Sequence, residues 1–370
     1  MAEIITATIS DTIAELPQLV PWNRDRVGTG IDLLVVCAGF EERAASIVRA
    51  IDGIAVRDLL IIEYPTNETE NAAGLDSLRQ IKAMTTTSIR YQRHCFFRDI
   101  SEFVARLGTG LGHRVVVDVS AMASYVTTRL LKAIWESCGG ASLGVFYAEA
   151  DQYHPTFEEW NGFFATVTDT SDNLAIAERY EETYFQARGV SVTYECDAFP
   201  GHNEGPLAAE MIAIPSFSLQ RVKSMTTFAG EKYNVSPSDL SWFLGLPPDK
   251  PKNGWRFEAL AKLYNVKSGG VAVDTRDYRD VLRKLDEAWS EALCNERHLM
   301  IGGMGSKMQN IGVFLFLLMH PECGLLHCEP SEFIASRYTS GVGPIWWIDF
   351  NDISATEKML KSRGSLKFRW

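Results

Sequence analysis

Four stretches in the first half of the chain are apolar almost from end to end: residues 32–37 (DLLVVC), 58–64 (DLLIIEY), 114–118 (RVVVD) and 143–149 (LGVFYAE). A strand with one face in water alternates polar and apolar side chains, and these runs do not alternate. Both faces must therefore be covered, which is the condition of strands in a parallel sheet held between two layers of helices. The intervening residues read as helices at 41–51, 71–84, 101–107 and 120–137. Glu41 and Glu42 fall in a first helical turn, where acids suit the macrodipole. The short run 94–97 (HCFF) supplies the third of five strands in this reading. A short helix is expected over 10–16.

Past Tyr153 the pattern breaks into a stretch rich in Thr, Glu, Tyr and Phe, with a helix expected over 173–186 and a Pro- and Gly-rich end near 200–206. The strand pattern then returns. Residues 211–217 (MIAIPSF) with Arg221 answer 34–40 (LVVCAGF) with Arg43, and Asp239-Leu240 before Asn253 answer Asp58-Leu59 before Asn71. Residues 271–273 and the helix 278–293 answer 94–97 and 101–107; 297–302 answer 113–118; and 326–333 answer 146–153. Correspondences that keep their order, with helices between them, mark an internal duplication. The expected fold is α/β: two tandem Rossmann-like three-layer units with mainly parallel sheets. The first occupies residues 1–155, a connector or flap 156–205, and the second 206–370, ending in an edge strand at 345–350 and a helix at 355–363.

A formal net charge of −11 argues against generic binding to nucleic acid or to an anionic membrane, both of which need a positive surface. No apolar run approaches the roughly 20 residues of a membrane span. The N-terminal residues carry acids where a signal peptide needs basic residues and a long apolar core. Seven cysteines, an odd number without framework spacing, fit reduced thiols and a cytoplasmic location. His320, Cys323, His327 and Cys328 have a loosely zinc-like spacing. His327 and Cys328 are adjacent in a strand, however, and so face opposite ways, which favours packing over a metal.

Ligands of an open parallel sheet bind outside the carboxyl ends of its strands, where the strand order reverses. The loops after the first and fourth strands of each copy are therefore the places to look. In the second copy they hold Ser216, Ser218 and Arg221, and Gly302, Gly303, Gly305, Ser306 and Lys307. Glycine turns, a hydroxyl and an ammonium at a helix start form an anion-binding inventory, although the spacing is not that of a Walker A loop. In the first copy they hold Gly39, Glu41, Glu42 and Arg43, and Asp118 and Ser120, with Glu149 after the fifth strand. Asp118 with Ser120 has a plain capping role open to it. Asp118 would also suit a ribose hydroxyl, Mg²⁺ or general-base work, and Asp118 or Glu149 would read a sugar or base.

The turn Gly302-Gly303-Met304-Gly305-Ser306-Lys307-Met308 resembles the signature of the CRISPR-associated Rossmann-fold (CARF) sensor domains, which carry a Gly-Gly-Thr-Lys-x-Met-type turn after the fourth strand. The resemblance is specific over about twenty residues. It implies binding of cyclic or linear oligoadenylates, with Gly303, Ser306 and Lys307 at a phosphate and Ser216 and Phe217 beside it. The first copy departs from it, with Asp118-Val119-Ser120-Ala121-Met122 where the glycines would stand. Three expectations follow. The first is a nucleotide or phosphorylated-ligand sensor in prokaryotic antiviral defence, with a protein partner supplying the effector. The second is a nucleotide hydrolase or glycosidase whose acids are Asp118, Glu149 and Glu41 or Glu42. The third is a structural subunit of a larger complex.

Overall fold

The structure is a computed structural model that describes residues 13–108, 112–166, 185–201, 208–266 and 270–364. The helix expected over 173–186 lies almost wholly outside the described residues, as do residues 10–12 of the helix expected over 10–16; residues 13–15 of it are helical. Two compact units emerge, one comprising Leu16–Tyr153 with Tyr338–Met359 and the other formed around His154–Arg337.

In the first unit, β1 (Val20–Pro21), β2 (Gly30–Ala38), β3 (Ala55–Glu63), β4 (Ala83–Arg90), β5 (Arg114–Asp118) and β6 (Ser142–Ala148) join one seven-stranded sheet. With β17 (Ile345–Phe350), its order is β1-β17-β6-β5-β2-β3-β4, and the pairings among β2 to β6 are all parallel. Leu33, Leu34, Val35 and Val36 are fully buried in succession, as a sheet covered on both faces requires. The covering helices are α1 (Ser46–Ala50), α2 (Glu68–Leu78), α3 (Phe96–Leu107) and α4 (Ser124–Ser137).

The third strand is not residues 94–97 but β4, 83–90 (AMTTTSIR). It is an edge strand, largely exposed, and its β-branched threonines suit a pleated surface without forming an apolar run. Phe96 belongs instead to α3, where Phe96, Ile100, Phe103 and Val104 make one buried face at helical spacing.

The second unit holds β8 (Ala187–Arg188), β9 (Val192–Glu195), β10 (Ala209–Ile214), β11 (Leu240–Leu246), β12 (Val271–Asp274), β13 (His298–Gly303), β14 (Gly324–Glu329) and β15 (Glu332–Phe333). Its main sheet runs β12-β11-β10-β13-β14-β9, parallel except for β9. The helices are α5 (Phe157–Thr166), α6 (Leu219–Tyr233), α7 (Trp255–Leu263), α8 (Tyr278–Cys294) and α9 (Lys307–Met319). In α9 every residue from Met308 to Met319 is buried, so the helix has no water face and, past Gln309 and Asn310 in its first turn, is apolar all round. Residues expected to be connector thus contribute α5, β8 and β9 to this unit.

Counting the five parallel strands of each unit in chain order, both sheets run 3-2-1-4-5. The ladders also match in register. Leu34 pairs with Leu59 and Val116, and Met211 pairs with Leu240 and Met300. Asp118 pairs with Phe146 as Gly302 pairs with Leu326. These are the equivalences of an internal duplication.

β17 (Ile345–Phe350) does not edge the second copy. It lies antiparallel on β6 of the first unit, with β1 beyond it. Trp347 is fully buried there over Gly144, where a Cβ would drive into the indole ring. The last helix is α10 (Ile353–Gly364). Among the described residues, no helix is long and apolar enough to cross a membrane.

Candidate functional site

With strand order 3-2-1-4-5, the order reverses between the first and fourth strands: β2 and β5 in one unit, β10 and β13 in the other. The loops named above leave the sheet at these two points.

In the first unit the loops are stitched together. A Cβ on Gly39 would stand 2.8 Å from that of Ala121, so glycine is needed where the two loops pass. The buried Asp118 carboxylate accepts from the backbone N–H of Ser120 at 2.9 Å and from its hydroxyl at 2.5 Å. Ser120 Oγ in turn accepts from Ala148 N at 2.8 Å. The Tyr64 hydroxyl accepts from Ala123 N at 2.6 Å, and burial holds this phenol well above its ordinary pKa.

Arg43 is buried and committed. Its Nε and Nη2 donate to Glu41 Oε2 at 2.9 and 2.6 Å, and Nη1 donates to Ala148 O and Tyr153 Oη at 3.3 Å each. The guanidinium also lies over the Tyr147 and Tyr153 rings, and the two phenols are bonded to each other at 2.9 Å. Burial opposes its charge, but Glu41 more than restores it, so its pKa lies above the usual arginine value. Thr339 closes the cluster by donating to Glu41 Oε2 at 2.7 Å. Glu149 is half-buried at the end of β6, its backbone N–H donating to Pro344 O.

The second unit repeats this frame with different side chains. Arg221 donates from Nε and Nη2 to Cys328 O at 2.8 and 2.6 Å and lies over the Phe333 ring, matching Arg43, Ala148 and Tyr153. Among the described residues no acid bonds to it as Glu41 does to Arg43; the backbone carbonyl takes two N–H groups. Ser216 O accepts from the Tyr264 hydroxyl, and Met304 N donates to Ile214 O at 3.0 Å, which ties the fourth-strand loop to the first strand.

Ser306 caps α9. It forms a reciprocal box with Gln309, accepting from Gln309 N at 3.1 Å while its own N–H donates to Gln309 Oε1 at 2.8 Å. Its hydroxyl donates to Thr275 O at 2.6 Å, which anchors the cap on the loop after β12. Lys307 follows, half-buried, as the first helical residue.

The glycines have distinct roles. A Cβ on Gly302 would meet the ends of Met211 and Met225, and one on Gly305 would meet Ile214 and Gln309. Gly303 has ordinary room, 3.6 Å to Leu325.

The structure brings Gly302, Gly303, Gly305, Ser306 and Lys307 into one turn and joins that turn to the β10 end through Met304. It gives Arg43 and Arg221 buried partners within their own units. Tyr153 and Phe333 are matched in the sequence only as equivalent positions, and Thr339 not at all, because their places beside Arg43, Arg221 and Glu41 depend on partners far along the chain. A faint signal existed in Gly341-Val342, which echoes Gly189-Val190.

Away from the switch points, His320 Nε2 meets Asp286 at 2.8 Å and its ring stacks on Trp289 at 3.9 Å, while His327 is buried on β14. Among the described residues, no group of three or more His, Cys, Asp or Glu side chains converges as metal ligands.

No family model matches the chain, and no curated protein matches it. Among solved structures, one of a type III CRISPR defence DNA nuclease activated by cyclic oligoadenylate is similar at 11% identity, with a TM-score of 0.43. The match covers 78% of this chain and 64% of that one, so the chain spans less than two thirds of that structure's length. The resemblance is weak and distant.

Proposed function

We propose that the chain binds a nucleotide or another phosphorylated small molecule at the turn 302–307 of the second unit and serves as a sensor in prokaryotic antiviral defence. The observation that carries this reading is the anchoring of that turn. Met304 N on Ile214 O and Ser306 Oγ on Thr275 O fix the start of a buried 13-residue helix at the point where strand order reverses. The capping box takes the N–H groups of Ser306 and Gln309, so what this helix start offers an anion is its partial positive charge, and Lys307 adds a full one. The CARF-type turn read from the sequence supports a nucleotide as the phosphate carrier.

The enzyme reading has less support, because two of its acids are already engaged in holding the fold. Asp118 takes the Ser120 N–H and hydroxyl, and Glu41 takes Arg43 and Thr339.

The test is a thermal-shift screen with mononucleotides and with cyclic and linear oligoadenylates. A ligand at a hundred times its Kd adds about 2.7 kcal/mol. We expect Lys307→Ala to abolish the shift and the ligand to be recovered unchanged by mass spectrometry. No shift with any nucleotide refutes the site. Recovery of cleaved ligand, with turnover lost in Asp118→Asn or Glu149→Gln, supports the enzyme instead.

A further inference from the structure

In each sheet the fifth parallel strand is followed by an antiparallel strand, β17 on β6 and β9 on β14, and neither of these strands comes from the same copy of the repeat. β6 continues into β7 (Gln152–Tyr153), and the chain then passes through α5 to β8 and β9. β9 lies not on β6 but on β14. In the second copy β14 continues into β15, then into β16 (Thr339–Ser340) and β17, and β17 lies not on β14 but on β6. The short strands follow the same crossing. β7 pairs with β16, and β15 pairs with β8.

The two arms match residue by residue. Tyr153 stands opposite Thr339 and Gln152 opposite Ser340; Phe333 stands opposite Ala187 and Glu332 opposite Arg188. The next residue in each arm is a glycine in the left-handed region, Gly341 at φ +68° and Gly189 at φ +62°. A Cβ on Gly341 would stand 3.0 Å from Asp151, and one on Gly189 would stand 3.0 Å from Ser331. Two residues on, Gly343 N donates to Glu149 O, and Ser191 N donates to Glu329 O, both at 2.9 Å. Glu149 and Glu329 are themselves equivalent, each closing the fifth strand that its clamping arginine holds. Agreement in pairing register, glycine conformation and backbone hydrogen bonds makes the arms two copies of one element.

We propose that this chain is a fused, arm-exchanged dimer. Each copy delivers, after its own fifth strand, the arm that completes the other copy's sheet. The outer edges of β6 and β14 are therefore acceptor edges for an arm of the sequence type seen in 338–350 and 187–195. The exchange also reaches the switch-point loop of the first unit. Thr339, delivered by the second copy, bonds to Glu41, and Tyr338 stacks edge-on against Phe40 at 5.5 Å. Without that arm the buried Arg43–Glu41 cluster is incomplete.

The experiment introduces a specific protease site at 202–207, between β9 and β10, in the full chain. It also replaces Thr193 by Cys. Thr193 stands opposite Cys328 in the β9–β14 ladder. Cys196 N donates to Leu325 O, so by alternation 193 and 328 form a non-hydrogen-bonded pair with Cα atoms about 4.5 Å apart, within disulfide reach.

After cleavage we expect both pieces to elute together at the mass of the whole chain. They should separate only at the urea concentration where the far-UV signal is lost, because neither arm can leave without opening a sheet. Oxidised Thr193→Cys should hold the cut pieces together on a non-reducing gel. Pieces that part as two folded monomers below the unfolding transition overturn the proposal, as does a disulfide joining two different chains. If the inserted site prevents folding, disulfide mapping of uncut Thr193→Cys decides: an intrachain 193–328 link supports the exchange, and its absence refutes it.

Discussion

Replacing Glu41 by Ala should destabilise the first unit far more than a surface change would. Glu41 is 7% exposed and accepts two N–H groups from Arg43 and the Thr339 hydroxyl on one oxygen. Its loss leaves a guanidinium at 3% exposure with two phenol rings, a carbonyl and no counter-charge. Breaking one side of a buried ion pair typically costs about 3–5 kcal/mol. A domain of about 150–250 residues loses about 2–4 °C of Tm per kcal/mol, so the expected fall is roughly 6–20 °C.

Urea unfolding followed by tryptophan fluorescence and far-UV circular dichroism would measure it. Two companions test the cause rather than the size. Thr339→Val removes one hydrogen bond to a charged group and should cost about 1.5–3 kcal/mol. Glu41→Leu combined with Arg43→Met removes both charges and should recover most of the loss, since a well-packed apolar pair often matches a buried ionic one. A loss below about 1 kcal/mol in Glu41→Ala, or a double variant whose loss is the sum of the singles, would refute the reasoning.

Two further outcomes are expected. Gly305→Ala should cost about 1 kcal/mol or more, because the new Cβ displaces the Gln309 amide from its capping box and meets Ile214; Gly303→Ala, with room for a methyl, should be nearly neutral, and equal losses in the two would contradict the packing account. Burial lowers the His320 pKa, but the hydrogen bonds to Asp286 and Glu322 outweigh it and leave the pKa raised, so this pair's contribution is full below about pH 6.5 and fades as pH rises through the higher folded value. Urea midpoints should therefore fall from pH 6 to pH 8.5 more steeply in the parent protein than in His320→Gln, and identical slopes would remove His320 as the cause.

Much of the fold was legible because burial on both faces writes itself into a sequence as an unbroken apolar run. Leu34 with Met211 and Leu59 with Leu240 were matched on that pattern, and the ladders place them in equivalent register. The pattern failed at the edges. β4 has an open side and needs no apolar run, so its threonines carry no strand signal, while the apolar first turn of α3 mimics one. β17 was recognised as a strand but assigned to the wrong sheet. Its partner β6 lies in the other half of the chain, and no local signal carries that information.

At the candidate site, turn chemistry was visible in Gly302, Gly303 and Gly305, whereas the atoms that require two of those glycines were not. The partners of Arg43 and Arg221 are equally invisible there. A backbone acceptor such as Cys328 O leaves no mark in a sequence.

The pairing of β17 with β6 also sets a schedule for synthesis. Ala148 meets its partner Ile345 only after roughly 200 further residues have been made, which at about 5–20 residues per second takes on the order of 10–40 s. Until then the nascent chain holds an apolar strand with an unpaired edge, a template for pairing with other chains. The β17 segment thus acts late and locks, as an antiparallel strand, a sheet whose parallel strands were finished long before. Loss of even the final turns of coding sequence before residue 350 would leave the first-made half open, not the last.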